Sequence, residues 1–322
     1  MKAIDSLTFQ QIRHLSDDDA RKAFETIRWP EGVTCPRCQG KNILAVTGGR
    51  TGLYRCTDCR KAKTVDQFTV TVGSIFEDSH IPLGKWLMGF HLVCASKKGV
   101  SALQLQRQLE LGSYRSAWHM AHRIRHAMAS DPMKTMLKGV VEADETYIGG
   151  KPRNRKKRDR YFGGKPKIGR GTDKAPVLAL IERGGRALAF AMDNVKAKSL
   201  RAAIDANVDK SSTFNTDEFP AYKAIGAEFE GGHQTVVHSR QEYAKPDGSH
   251  INTCESFFGL LKRGVHGTFH HIGRQHLGRY CDEFEFRWDH RKVTDGTRTV
   301  SALRRATGRR LPYRDLAGKM SV

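Results

Sequence analysis

Hydrophobic and polar positions along this chain change period near residue 136. Before it, apolar residues recur at helical spacing. Residues 6–28 read as one or two short helices, with Ser16 and the run Asp17, Asp18, Asp19 as cap and acidic first turn. Pro30 and Gly32 break that pattern. The segment L-G-K-W-L-M-G-F-H-L-V-C-A at 83–95 is apolar on most of its surface and reads as a core helix. A helix at 99–109 opens at a Ser cap, E-L-G at 110–112 makes a turn, and 113–128 is a second helix. Helix, short glycine-bearing turn and a helix with Arg in its first turn form a helix-turn-helix pattern, which points Arg115 and Arg123 at DNA.

After residue 136 the pattern becomes short apolar runs separated by turn residues. Strands are expected at 138–147, 176–182 and 186–193, a helix at 198–209, a strand at 212–217 and another at 234–238. Helices follow at 252–263 and 275–289. Three strands with short connections, then alternating strand and helix, describe a mixed sheet covered by helices. The order β-β-β-α-β-α-β-α is that of the ribonuclease H fold.

That order gives three acidic positions a meaning. Asp144 lies on the first strand and Asp217 at the end of the fourth, which are neighbours in such a sheet. Glu255 lies near the start of the 252–263 helix, with Lys262 two turns later on the same face. Mg²⁺ takes hard oxygen ligands and keeps positions open for phosphate and water. A pair of such ions can clamp the attacking and leaving oxygens of a phosphoryl displacement. Glu142 points the same way as Asp144, by the two-residue period of a strand, and competes with it for the first ligand position.

Cysteine spacing adds a second metal. C-P-R-C at 35–38 and C-T-D-C at 56–59 are two knuckles with 17 residues between them. Cys35, Cys38, Cys56 and Cys59 are read as a Cys₄ zinc ribbon, structural because four thiolates leave no open position. Cys94, Cys254 and Cys281 are isolated and read as small buried residues.

Charge then suggests the partner. Lys plus Arg number 55 against 34 Asp plus Glu, a formal net charge of +21. So basic a chain makes a nucleic-acid backbone the default partner. Residues 151–174 concentrate the excess, with eleven Lys or Arg and two Asp. Lys151, Arg153, Arg155, Lys156, Lys157 and Arg158 begin a few residues after Asp144 and are read as phosphate contacts. Lys262 and Arg263 join them. No stretch reaches the roughly 18 apolar residues of a membrane helix, and the first residues lack a signal-peptide core. A cytoplasmic, nucleoid-associated protein with no membrane partner is expected.

Four segments carry a family resemblance: V-E-A-D-E-T-Y-I-G-G-K at 141–151, N-T-D-E-F-P-A-Y at 215–222, H-I-N-T-C-E-S-F-F-G-L-L-K-R-G-V-H-G-T-F-H-H at 250–271 and Y-C-D-E-F-E-F-R-W-D-H-R at 280–291. With the cysteine pairs they resemble insertion-sequence DDE transposases of the zinc-ribbon type, bacterial relatives of the Merlin transposons, over nearly the whole length. The resemblance implies transposition by a magnesium-dependent (or manganese-dependent) ribonuclease H-like core. It places the first two acids on Asp144 and Asp217 and admits either Asn or Glu as the third. Asn252 and Glu255 are both candidates, and the facing Lys262 favours Glu255. His270 and His271 could assist or be structural.

The expected architecture is therefore multidomain α+β. It has a helical segment at 1–32, a zinc ribbon at 33–80, a helix-turn-helix region at 81–132, a ribonuclease H-like catalytic domain at 133–298 and a basic tail at 299–322. The expected activity is cleavage and strand transfer on double-stranded DNA, at element ends and target, by a homodimer or higher oligomer. A structure-selective nuclease of the same fold and a catalytically inactive DNA-binding regulator are the competing classes.

Overall fold

The computed structural model describes residues 8–130, 135–149, 172, 174–236, 245 and 248–317. The chain forms two compact units, 1–129 together with 292–322, and 130–291.

The first unit begins with α1 (Phe9–Arg13) and α2 (Asp17–Arg28). Ser16 caps α2 by accepting from the Asp19 amide, and the three aspartates sit in its positively polarised first turn. A three-stranded antiparallel sheet follows: β1 (Ile43–Ala45), β2 (Tyr54–Cys56) and β3 (Gln67–Phe68), with α3 (Thr57–Lys61) between the last two. Trp29, at the end of α2, makes edge-on contacts with Tyr54 and Phe68 of that sheet. The Arg28 guanidinium donates to the Val70 carbonyl. Helix and ribbon thus share one aromatic core.

Next come α4 (Leu83–Ala95), α5 (Ala102–Gln108) and α6 (Tyr114–Met128). Ser101 and Ser113 cap α5 and α6, and the intervening turn places Glu110 at φ 49°. The two helices and the turn read at 99–128 are present, with the first helix beginning at Ala102.

The end of the chain differs from the expected basic tail. Residues 292–317 fold back into this unit as α11 (Asp295–Arg304) and α12 (Tyr313–Ala317), numbered after the helices of the second unit. Two of its arginines serve α6. Arg305 donates to the Met128 carbonyl, and Arg309 to those of His126 and Ala129 at 2.7 and 2.8 Å. These are the orphan acceptors that a helix C-terminus leaves.

The second unit holds a five-stranded sheet: β4 (Val140–Ile148), β5 (Ala175–Glu182), β6 (Ala187–Ala191), β7 (Thr213–Asp217) and β8 (His233–Val236), in the order β6-β5-β4-β7-β8. The first three pair antiparallel; β7 and β8 run parallel to β4. Helices α7 (Ala197–Asp205) and α8 (Pro220–Gly226) cross between the parallel strands, and α9 (Asn252–Gly264) and α10 (Leu277–Asp289) close the unit. This strand order and direction is the ribonuclease H-like fold. The short α8, introduced by Pro220 at its first turn, is the crossover helix between β7 and β8.

Both faces of the sheet are covered, so β5 reads as an unbroken apolar run. Val177, Ala179 and Ile181 face Cys254, Phe257, Phe258 and Leu261 of α9 and Phe284 of α10. Leu178 and Leu180 face Leu200 and Ile204 of α7 and Tyr222 and Ile225 of α8.

Candidate active site and zinc ribbon

The two metal sites expected from sequence are built differently. In the ribbon, the four cysteine sulfurs all lie within 4.8 Å of one another. The Cys35 and Cys59 sulfurs are 3.7 Å apart, those of Cys38 and Cys56 3.5 Å. A zinc–sulfur distance near 2.3 Å in a tetrahedron requires edges of about 3.8 Å, so the donor set fits zinc. Each knuckle is shaped by its own backbone. The Gly40 amide points at the Cys38 sulfur and the Cys59 amide at that of Cys56. Gln39 takes φ 62°, and a Cβ on Gly40 would stand 2.6 Å from an Asp58 carboxylate oxygen, so a side chain there would have to displace the Asp58 carboxylate. Among the described residues, this is the one cluster of three or more Cys, His, Asp or Glu side chains so closely gathered.

The acidic site is assembled from remote parts of the second unit. Glu142 pairs with Asn215 and Ala143 with Thr216 across the parallel β4–β7 ladder. The same register carried one rung further sets Asp144 beside Asp217. Phe214 and Ala143 belong to the core on the α7–α8 side, so alternation turns Asp144 and Asp217 to the face that α9 covers. Glu255 lies in the first turn of α9, exposed.

Charge connects the three. Burial, then the negative charges of Glu145, Asp217 and Glu255, push the Asp144 carboxyl up to about 8. The Asp144 carboxylate also accepts from the Glu145 amide at 2.7 Å, and that of Asp217 from the Phe219 amide at 2.9 Å. Glu145, next to Asp144 but on the opposite face of the strand, receives the hydroxyl of the buried Tyr222 at 2.8 Å. Asn252 is the first residue of α9 and is exposed, as are Lys262 and Arg263 in its last turn. Five residues of π-helix, Val265–Phe269, follow directly, and His270 beyond them has φ 59°. His270 and His271 are exposed, and the His270 ring lies 3.1 Å from the His266 carbonyl.

Glu142 faces the same side as Asp144, as expected, but has a different occupation. It is fully buried. One carboxylate oxygen accepts from the amides of Thr253 and Cys254 at 2.8 and 3.2 Å. The other accepts from the Thr253 hydroxyl at 2.7 Å and Arg183 at 3.1 Å, with the His250 ring 3.2 Å away. Both oxygens are committed, so Glu142 does not compete with Asp144 for a metal.

Arg123 also departs from expectation. It is 6% exposed, and its Nε donates to the Leu311 carbonyl at 3.2 Å and toward His119 at 3.1 Å. A guanidinium so placed ties α6 to the returning chain end. Arg115 is exposed at the start of α6, with its guanidinium 4.8 Å over the Tyr313 ring. Lys151, Arg153, Arg155, Lys156, Lys157 and Arg158 lie outside the described residues.

The helical spacing of α6 carries a signal for Arg123. Met120, Ile124 and Ala127 are buried there, and residue 123 lies three from 120 and four from 127, on the edge of that stripe. For Glu142 the local pattern is silent, because its partners lie more than 40 residues away.

Residues 136–289 match the ISXO2-like transposase domain, and residues 15–62 match the transposase zinc-ribbon domain. The second match takes in α2, in keeping with the core that helix shares with the ribbon. The chain is 29% identical over 280 residues to an uncharacterized protein in transposable element ISH50 of Halobacterium salinarum, covering 85% of this chain and 91% of that one. Among solved structures, the chain is similar to one in the simian T-cell lymphotropic virus intasome in complex with the PP2A regulatory subunit B56 gamma, at 15% identity and a TM-score of 0.25, over 56% of this chain and 63% of that chain. A second is the Mos1 strand transfer complex, at 13% identity and a TM-score of 0.23, over 65% and 78%. The fold assignment rests on the strand order and not on these two likenesses.

Proposed function

We propose that this chain, which belongs to the insertion-sequence transposases carrying an N-terminal zinc ribbon, binds the ends of its element and cuts and joins DNA there with magnesium. The observation that carries this reading is that the parallel β4–β7 ladder ends at Ala143 and Thr216, leaving Asp144 and Asp217 next along adjacent strands, with Glu255 of the neighbouring helix among the charges that act on Asp144.

Asp144 and Asp217 would hold the magnesium ions, with Glu255 as third ligand and Asn252 as the alternative. Hard oxygen donors suit Mg²⁺, and a carboxyl raised by burial and then by neighbouring acids is one whose charged form a divalent cation would stabilise. When bound, the ions supply charge for an in-line phosphoryl displacement and lower the pKa of the attacking water. The remaining work belongs to the chain. Lys262 and Arg263 present exposed cations to backbone phosphates near the scissile bond. Tyr222 holds Glu145 on the far face of β4, so the site keeps a defined set of acids. Hydrolysis adds water across a phosphodiester and frees a 3′-hydroxyl. That hydroxyl then attacks a target phosphodiester, exchanging one such bond for another. Positioning and charge stabilisation account for most of such catalysis.

Asp144→Asn and Asp217→Asn keep shape and remove a charge. Each should abolish Mg²⁺-dependent nicking of end-containing DNA while leaving end binding near wild type, because recognition is assigned to the first unit. Cleavage retained in either variant would refute the site. Cleavage without strand-transfer products in the wild type would make the chain a nuclease of the same fold, and intact acids without any cleavage would favour the regulator.

A further inference from the structure

We propose that Glu142 is a positioning residue: from strand β4 it caps helix α9 and so sets where Glu255 stands relative to Asp144 and Asp217. This rests on the reading of those three acids as the metal-holding set.

Helix α9 has no cap of its own. Its N-cap residue, Ile251, offers no side-chain acceptor. The Thr253 and Cys254 amides, in the orphan first turn, are satisfied by Glu142 across 111 and 112 residues of sequence. Glu255 is the next residue, so the cap ends one peptide before the proposed ligand. Arg183 completes the arrangement from the β5–β6 turn. It donates to Glu142, to the Gly248 carbonyl at 3.1 Å and to the His250 carbonyl at 3.2 Å, holding the segment that leads into the helix. Asn215 of β7 donates to the same His250 carbonyl at 3.3 Å.

The consequence is geometric. Asp144 stands two residues from Glu142 on the same face of one strand, and Asn215 stands two residues from Asp217 on the next. Each strand thus carries one proposed ligand and one group that fixes the start of α9. A shift of the helix start would move Glu255 against both aspartates at once. Misplacement of a reacting array by about 1 Å can cost roughly 10²-fold in rate. Partners that orient metal ligands are worth about 10- to 100-fold in affinity or activity when removed.

The test uses the full-length, zinc-loaded protein, with Mn²⁺ binding by calorimetry as a readout separate from cleavage. Glu142→Gln should weaken Mn²⁺ binding by about 10- to 100-fold and lower kcat, with the KM for end-containing DNA unchanged. The effect should disappear in a Glu255→Gln background, because Glu142 acts through Glu255. Wild-type Mn²⁺ binding in Glu142→Gln, or an effect that adds fully to that of Glu255→Gln, would overturn the proposal. Asp144→Asn separates the two readings: if it binds Mn²⁺ as wild type does, the acidic site itself is wrong, whereas if it loses Mn²⁺ while Glu142→Gln does not, only the positioning role fails. Should Glu142→Gln not fold, Thr253→Ala removes the hydroxyl donor alone. A loss of roughly tenfold that vanishes with Glu255→Gln supports the proposal, and wild-type binding overturns it.

Discussion

The zinc ribbon and the proposed acidic site gather their side chains by opposite means. In the ribbon each pair of ligands is three residues apart, and the intervening peptide turns both sulfurs to one point. In the acidic site the candidate ligands are separated by 73 and then 38 positions in the sequence, and packing between strands and a helix must bring them together. A site of the first kind is written in spacing. A site of the second kind inherits its geometry from the fold, and in this chain the buried carboxylate of Glu142 is one of the groups that fixes it. The contrast predicts different modes of failure.

The largest effect belongs to the ribbon. Structural zinc contributes apparent binding free energies of about 10–16 kcal/mol in small zinc-finger peptides, coupled to folding. Cys35→Ser or Cys59→Ser should lose the one zinc per chain and abolish specific end binding. The damage should extend beyond the ribbon, because Trp29 of the α2 end packs on Tyr54 and Phe68. Two unfolding transitions in calorimetry would report this: the first unit's shifts down and the second unit's stays. Metal analysis that finds no zinc in wild-type protein would remove the premise.

Legibility in the sequence follows the same division. Ser16 and Ser101 could be read as caps because capping is decided within one turn of the helix. Strand order was readable because β5 and its neighbours are bounded by turns, and that order sufficed to set the strands of Asp144 and Asp217 side by side. Glu142 could not be separated from Asp144 locally, since both obey the same alternation, and only the arrival of α9 distinguishes them. The fate of residues 295–317 was hidden for a similar reason. Composition gave only a basic tail at 299–322, whereas Arg305 and Arg309 are spent on the carbonyls ending α6.

The acidic site should fail more selectively. Glu255→Gln removes a charge without disturbing the cap on α9, so the fold and end binding should survive while the cleavage rate falls steeply. Asn252→Ala should cost far less if Glu255 is the third ligand. A near-normal rate for Glu255→Gln together with an inactive Asn252→Ala would move the ligand one turn back, to the first residue of the helix. Single-turnover nicking of end-containing DNA measures both.

The smallest effect tests two of the three arginines of α6, Arg115 and Arg123, which the helix-turn-helix pattern treated alike. Arg115 is exposed at the helix start, while Arg123 is buried and bonded to Leu311. One phosphate contact on duplex DNA contributes about 0.9 to the slope of log K against log salt. Arg115→Ala should therefore reduce that slope by roughly 0.9 with little change in melting temperature. Arg123→Ala should leave the slope alone and lower the first unit's melting temperature, because the Leu311 carbonyl keeps only the His119 ring beside it and the returning chain end loosens. Measuring DNA affinity over a salt series beside thermal unfolding separates the two. A slope change from Arg123→Ala with unchanged stability would mean that the guanidinium leaves its buried place on DNA. The C-terminal segment would then open when the protein binds, and α6 would present a wider cationic face than the free chain does.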